Sequence, residues 1–237
     1  MELFMKKRIL SAVIAIFVIV CLSVSALAEE ETPTEYNNMV SLLMEGETGT
    51  VLQHNGGYEK VAQGTLNKLM TVLLTAEEIE SGGLSINDVV TVSSNANAQT
   101  GAVVWLMPGE EITIEELLKS VIIGNANDAS VALAEIVGGN EEEFTGMMNA
   151  RAFELGMRNT VFKNPAGYDC AGQYSTPYDM ALLCRELLKH EFLYKIMNTW
   201  IDRVRGGQTE IVNENRLVRT YEGVIGLKAS HTEASGY

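Results

Sequence analysis

Basic residues are scarce in this chain: 17 lysines and arginines stand against 31 aspartates and glutamates, for a net charge of −14. The imbalance excludes nucleic acid and anionic membrane surfaces as partners, because binding a polyanion needs a basic patch to offset its charge. Histidine is scarcer still. His54, His190 and His231 lie far apart with no companion ligands at metal spacing, so no metal site and no cofactor are indicated. Three cysteines are too few for a disulfide framework. Cys21 belongs to an N-terminal targeting segment, and Cys170 and Cys184 could pair outside the cytoplasm. Their spacing does not require it, and Cys184 sits on the apolar stripe of a predicted helix, which favours two free, buried thiols.

What the N-terminus does have is the layout of an export signal. Lys6, Lys7 and Arg8 form a positive start, Ile9 to Val24 an apolar run, and Ala26-Leu27-Ala28 a small-x-small cleavage site before Glu29. The expectation is an exported protein, acting in the cell wall or at the outer face of the cytoplasmic membrane. An uncleaved anchor is the alternative, although the apolar run is short for a bilayer span. Cys21 lacks the small preceding residue that lipid attachment needs. Cleavage removes three basic residues and Glu2, shifting the net charge to −16. It leaves a leader, 29–38, and a segment 39–237 long enough for one sizeable core.

Strand signals come first along that segment. Met39 to Met44 and Val51 to His54 flank the turn Glu47-Thr48-Gly49-Thr50 and predict a hairpin. Gly64 to Glu80 follows, with Leu66, Leu69, Met70, Val72, Leu73, Leu74, Ala76 and Ile79 leaving almost no polar face in its first turns. Such a pattern marks a helix buried on most sides. Val89 to Val92 is β-branched, and Ser93 to Gly101 reads as a loop. Thr113-x-x-Glu116 is a capping box opening a helix that stops at Gly124. Asn127 or Asp128 is expected to cap the next helix, Ala129 to Val137, and Glu141 to Leu155 gives another. A non-helical stretch, Thr160 to Gly172, carries Asn164-Pro165-Ala166-Gly167. Thr176-Pro177-Tyr178-Asp179 then opens a helix to about His190. Beyond Trp200, Glu210 to Val212, Leu217 to Thr220 and Val224 to Lys228 are strand candidates. Strands at both ends with helices between them argue an α+β class in which the terminal strands share one antiparallel sheet.

Chemistry enters where the buried helix begins. Thr65 and Lys68 are three residues apart and so stack on one side of its first turn. A desolvated lysine loses preference for the charged form and can accept a proton from a neighbouring hydroxyl, while free N–H groups of the first turn can stabilise an oxyanion. Taken alone, the pair reads equally as a capping threonine beside a solvated lysine. Asn125-Ala126-Asn127 lies in a tight loop between helices, where short polar side chains can reach a cleft or simply cap. Lys228 and Ser230 share a face of a predicted strand.

In this order and spacing the three sites resemble the motifs S-x-x-K, S-x-N and K-T-G of the serine-type D-alanyl-D-alanine carboxypeptidases, the low-molecular-mass penicillin-binding proteins, shared in part with serine β-lactamases. Asn127 to Glu135, Phe162-Lys163-Asn164-Pro165-x-Gly167, Tyr174-Ser175-Thr176 and Gly236-Tyr237 carry the likeness across the chain. The resemblance implies a β-lactamase/transpeptidase-like fold with a helical subdomain, and a substrate at the D-Ala-D-Ala end of a peptidoglycan stem peptide. β-Lactams are implied as further ligands. It assigns Thr65 as nucleophile, Lys68 as its base, Asn127 as holder of the substrate amide and Lys228 as partner of the terminal carboxylate. The N–H groups of Thr65 and His231 become the oxyanion hole.

All three motifs depart from the family pattern. Thr65 replaces Ser and adds a methyl that restricts χ1. Asn125 replaces the relay Ser, and an amide cannot pass a proton as a hydroxyl does. Ala229 and Ser230 replace Thr and Gly, and Ala166 stands where a larger residue is usual. The resemblance also implies two more strands and a closing helix beyond Gly236-Tyr237. These departures leave two expectations: an acyl-transfer hydrolase with weakened chemistry, or a non-catalytic homologue that binds peptidoglycan or a wall enzyme. A β-lactamase ranks third, for lack of an E-x-x-L-N stretch.

Overall fold

The buried helix forms as its apolar spacing predicts, with a tighter first turn. In the computed structural model, which describes residues 39–236, Gly64–Leu66 is a 3-10 turn that runs directly into helix α1, Asn67–Ser81. Every residue from Asn67 to Ala76 is buried. Gly82 ends the helix at φ +84°, a left-handed conformation that glycine adopts without steric cost, and its N–H closes on Glu78 O and Ile79 O.

Four further helices surround α1. They are α3 (Ile114–Ile122), α4 (Asn127–Gly138), α5 (Glu141–Glu154) and α6 (Pro177–Leu187), and each packs against it. Helix α3 opens with the foreseen capping box, Thr113 and Glu116 each bonding the other's backbone N–H. Thr176 caps α6 through Asp179 N–H, with Pro177 at the first helical position. Met70, Leu73, Leu117, Leu118, Val121 and Leu133 are sealed completely in the core between these helices. Each contributes about 1.5–3 kcal/mol by leaving water.

The strands make three separate antiparallel pairs among the described residues. β1 (Ser41–Met44) pairs with β2 (Val51–Asn55), β3 (Val89–Thr91) with β4 (Glu111–Thr113), and β5 (Ile201–Val204) with β6 (Thr209–Val212). The α+β class stands, but β1 and β2 pair with no C-terminal strand. Gly226 and Leu227 both take left-handed φ values, +89° and +64°, so 224–228 does not run as a strand. Leu217–Thr220 is a short helix, α8, rather than a strand.

Other expectations shift by smaller amounts. Ser94–Asn97 is a single helical turn, α2, capped by Ser93 inside the predicted loop. Helix α6 stops at Leu187, and Tyr194–Met197 forms a separate short helix, α7. The cap of α4 is Ala126, with no side-chain bond, because Asn127 and Asp128 are engaged elsewhere. Cys170 and Cys184 are both free, but neither is a fully buried residue: Cys170 is exposed and Cys184 half-buried. The export signal and leader, 1–28 and 29–38, lie outside the described residues.

Candidate active site

Three chain segments converge at the start of α1, and two glycines let them approach. Gly167 takes φ +81°, and a Cβ there would stand 2.4 Å from Gly64 O and 2.8 Å from Thr65 Cα. Gly64 takes φ +51°, and its Cβ would meet Ser235 Oγ at 2.6 Å. Any larger side chain at either place would push the loop or the C-terminal segment off the helix.

Lys68 is fully buried. Its Nζ donates to Asn127 Oδ1 at 2.7 Å and to the carbonyl of Ala166. Burial above all, then the like charge of Lys228, holds its pKa well below the usual lysine range, with Glu214 and Asp128 pulling the other way. The two acceptors match a neutral amine: two N–H groups are used, and a lone pair is left for a proton.

Thr65 is half-buried one turn before, and its hydroxyl donates to Ser230 Oγ at 2.8 Å. The hydroxyl's bond therefore crosses to the C-terminal segment rather than to Lys68. Asn127 is used at both ends of its amide, Oδ1 on Lys68 and Nδ2 donating to Thr100 O at 2.6 Å. The side chain expected to hold the substrate amide is thus already engaged with the lysine and the 100–107 loop. Asp128, also buried, accepts from Val104 N–H and Leu106 N–H at 3.0–3.2 Å and from Ala129 N–H at 2.9 Å. This holds the 100–107 loop against the cleft, with Trp105 exposed at φ +59°.

Asn125 occupies the tight α3–α4 loop at φ +55°, a conformation asparagine tolerates better than most residues. Its Nδ2 donates to Glu214 Oε2 at 3.3 Å, and its buried Oδ1 has no partner. Lys228 is half-buried, and burial lowers its pKa to about 8, with Glu214 opposing. Its Nζ donates to Ala229 O at 3.1 Å. His231 is exposed in the same segment. That segment is tied down by Thr232 Oγ1, which donates to Asp169 Oδ1 at 3.0 Å.

Several contributors carried no role in the sequence reading. Asn164 Oδ1 accepts from Gly167 N–H (2.6 Å) and Tyr168 N–H (2.9 Å), which shapes the loop that delivers Ala166 O to Lys68. Asn67 Nδ2 donates to Asn164 O and Gln173 Oε1, locking that loop to the helix start. Asp169 and Glu214 complete the set. The Asn-Pro-x-Gly signature was a visible signal for the loop; nothing in the sequence singles out Glu214. Among the described residues no three His, Cys, Asp or Glu side chains gather as a metal cradle.

Helices α1 and α3–α6 around one core, with a hydroxyl and a buried amine at the start of the central one, place the chain in the β-lactamase/transpeptidase class of acyl-transfer folds. The sequence profile of the D-alanyl-D-alanine carboxypeptidases matches residues 27–237, and the chain belongs to that family. It is 38% identical over 238 residues to the D-alanyl-D-alanine carboxypeptidase DacF of Bacillus subtilis, covering 98% of this chain and 61% of that protein. It is 33% identical over 207 residues to DacC of Escherichia coli, covering 83% and 50%. The crystal structure of penicillin binding protein 5 from Haemophilus influenzae superposes with a TM-score of 0.80 at 28% identity, over 87% of this chain and 61% of that one. The chain thus spans half to three-fifths of the length of these relatives.

Proposed function

We propose that this chain carries out the acyl-transfer chemistry of its family on the D-Ala-D-Ala end of peptidoglycan stem peptides, at a reduced rate. The observation that carries the reading is the buried Lys68 amine, held by two acceptors one turn from the Thr65 hydroxyl. In the proposed step Thr65 Oγ bonds to the carbonyl carbon of the penultimate D-Ala, and its proton goes to Lys68 Nζ. The tetrahedral oxyanion rests on the N–H groups of Thr65 and His231. The C–N bond then breaks as the proton held on Lys68 Nζ passes to the departing D-Ala amine; the neutral Lys68 next takes a proton from water, whose oxygen bonds to the ester carbonyl carbon, and the ester C–O bond breaks with that proton returned to Thr65 Oγ. Lys228 faces the carboxylate end. β-Lactams enter as substrate mimics that acylate the same hydroxyl.

A specific contact favours the second reading, a non-catalytic peptidoglycan binder. The Thr65 hydroxyl already spends its proton on Ser230, and the relay position holds Asn125, engaged with Glu214. Incubation with a fluorescent penicillin, followed by peptide mass spectrometry, separates the two. An adduct on Thr65 establishes the acyl-transfer reading. Absence of any adduct, with a D-Ala-D-Ala peptide still binding, leaves the binder.

The site of action in this proposal is extracytoplasmic, supported by Lys6-Lys7-Arg8, the apolar run and Ala26-Leu27-Ala28. A secreted form beginning at Glu29 by mass spectrometry supports it, and a secreted form retaining Lys6 to Arg8 refutes it.

A further inference from the structure

Two of the departures from the family pattern touch each other. Thr65, which stands where the motif has serine, donates its hydroxyl at 2.8 Å to Oγ of Ser230, which stands where the motif has glycine. The contact joins positions 165 apart, and the C-terminal segment is fastened so as to make it. Thr232 Oγ1 donates to Asp169 Oδ1 and Ala234 N–H to Asp169 Oδ2. Thr232 N–H donates to Ser235 Oγ and Ser235 N–H to Thr232 Oγ1, both at 3.0 Å. Gly64 makes the room: a Cβ there would stand 3.1 Å from Ser230 Oγ and 3.0 Å from Thr232 Cγ2. A hydroxyl is thus seated against the candidate nucleophile from the C-terminal segment. Asn125, at the relay position, has no hydroxyl, and its Nδ2 is spent on Glu214.

We infer that Ser230 is a catalytic residue of this chain, the hydrogen-bond donor to Thr65 Oγ as that oxygen attacks and again as it leaves. The inference rests on the acyl-transfer reading above. A hydroxyl carries one donor and two acceptor lone pairs, so while Ser230 accepts from Thr65 its own proton remains to be donated. Rotating both O–H bonds reverses the contact without moving a heavy atom. Ser230 then donates to Thr65 Oγ, and the Thr65 proton is freed for Lys68 Nζ. The charge that gathers on Oγ as the proton leaves meets a donor already 2.8 Å away, and a hydrogen bond to an ionised oxygen is about twice as strong as a neutral one. When the ester C–O bond later breaks, the same donor holds Thr65 Oγ until a proton returns to it. Ser230 keeps its own proton throughout, and no covalent bond to it forms or breaks. The contact also fixes where the threonine hydroxyl points, since the β-methyl leaves few χ1 settings. The hydroxyl at 230 is needed because 125 lacks one, so a serine restored at 125 relieves the need.

The test measures the rate of adduct formation with a fluorescent penicillin for the full wild-type chain, Ser230→Ala and Ser230→Thr. Peptide mass spectrometry locates the adduct, and a thermal melt verifies that each variant folds. Alanine keeps the β-carbon and removes only the hydroxyl; threonine returns the hydroxyl. The expected result is a loss of about tenfold or more in the rate at Thr65 for Ser230→Ala, with Ser230→Thr recovering a good part of it. Any smaller loss, a gain, or labelling by Ser230→Ala where the wild type shows none overturns the inference while the acyl-transfer reading stands; the Ser230 hydroxyl then only restrains Thr65. A loss that Ser230→Thr does not recover at all overturns it too, as an effect of packing. If no protein forms an adduct although all melt cooperatively, the acyl-transfer reading fails and this inference with it.

Discussion

Replacing Lys68 with methionine tests both the packing and the chemistry of the site. The substitution keeps an unbranched chain of similar length in a fully buried slot, but leaves Asn127 Oδ1 and Ala166 O without their donor. Each orphaned acceptor costs about 1–3 kcal/mol, offset by the desolvation that a buried amine no longer demands. These opposing contributions make the cost at any single pH uninformative; its pH dependence is the diagnostic. Lys68 has a folded-state pKa well below 10.5, so above that lowered value the folded protein binds fewer protons than the unfolded chain. Stability contributed by Lys68 then rises with pH until the unfolded lysine also loses its proton. The stability difference between wild type and Lys68→Met should climb by up to about 1.4 kcal/mol per pH unit within that window, in favour of the wild type. Urea unfolding at each pH unit from 6 to about 10 gives the difference directly, since other titrating groups cancel between the two proteins. A flat difference would mean that the amine stays charged when folded, and Lys68 could not then serve as the base for Thr65. Penicillin labelling, if present in the wild type, should disappear in the variant.

Asp128→Ala should cost about 2–4 kcal/mol, because the carboxylate holds the Val104, Leu106 and Ala129 N–H groups; denaturation and faster amide exchange at Val104 and Leu106 check it. Gly167→Ala should destabilise by more than about 1 kcal/mol and weaken peptide binding, since its Cβ would stand 2.4 Å from Gly64 O in a left-handed backbone; a folded variant binding normally would refute that packing. Thr65→Ser alone should recover little acylation, whereas combining it with Asn125→Ser, Ala229→Thr and Ser230→Gly should gain more than the sum of the single steps in log rate. Ser230→Gly also releases the Thr65 hydroxyl from its present acceptor, and additive single effects would argue against one catalytic unit. An alkylating reagent at pH 8 should modify exposed Cys170 and spare Cys184, whose thiol burial pushes up to about 12; intact-mass counting of adducts before and after unfolding reads this out.

The local elements and the candidate site residues were legible in the sequence. The α1 pattern, the Thr113-Glu116 capping box and the Thr176-Pro177 start depend on neighbours a few residues apart, so propensity and periodicity suffice to read them. Thr65 and Lys68 were legible for the same reason: helical spacing alone puts them on one side. The tertiary structure decided what those groups touch. Asn127 looked like a helix cap because capping is a local function, but the lysine 59 positions earlier claims its carbonyl oxygen. Segment 224–228 has strand composition, yet in the fold Gly226 and Leu227 take left-handed φ, and Gly226 lies so close to Met197 that a Cβ there would stand 2.4 Å from its carbonyl oxygen. Glu214 carried no local signal, since its contact is with Asn125, 89 positions away. Electrostatics and close contact act through space, and only the folded chain fixes those distances.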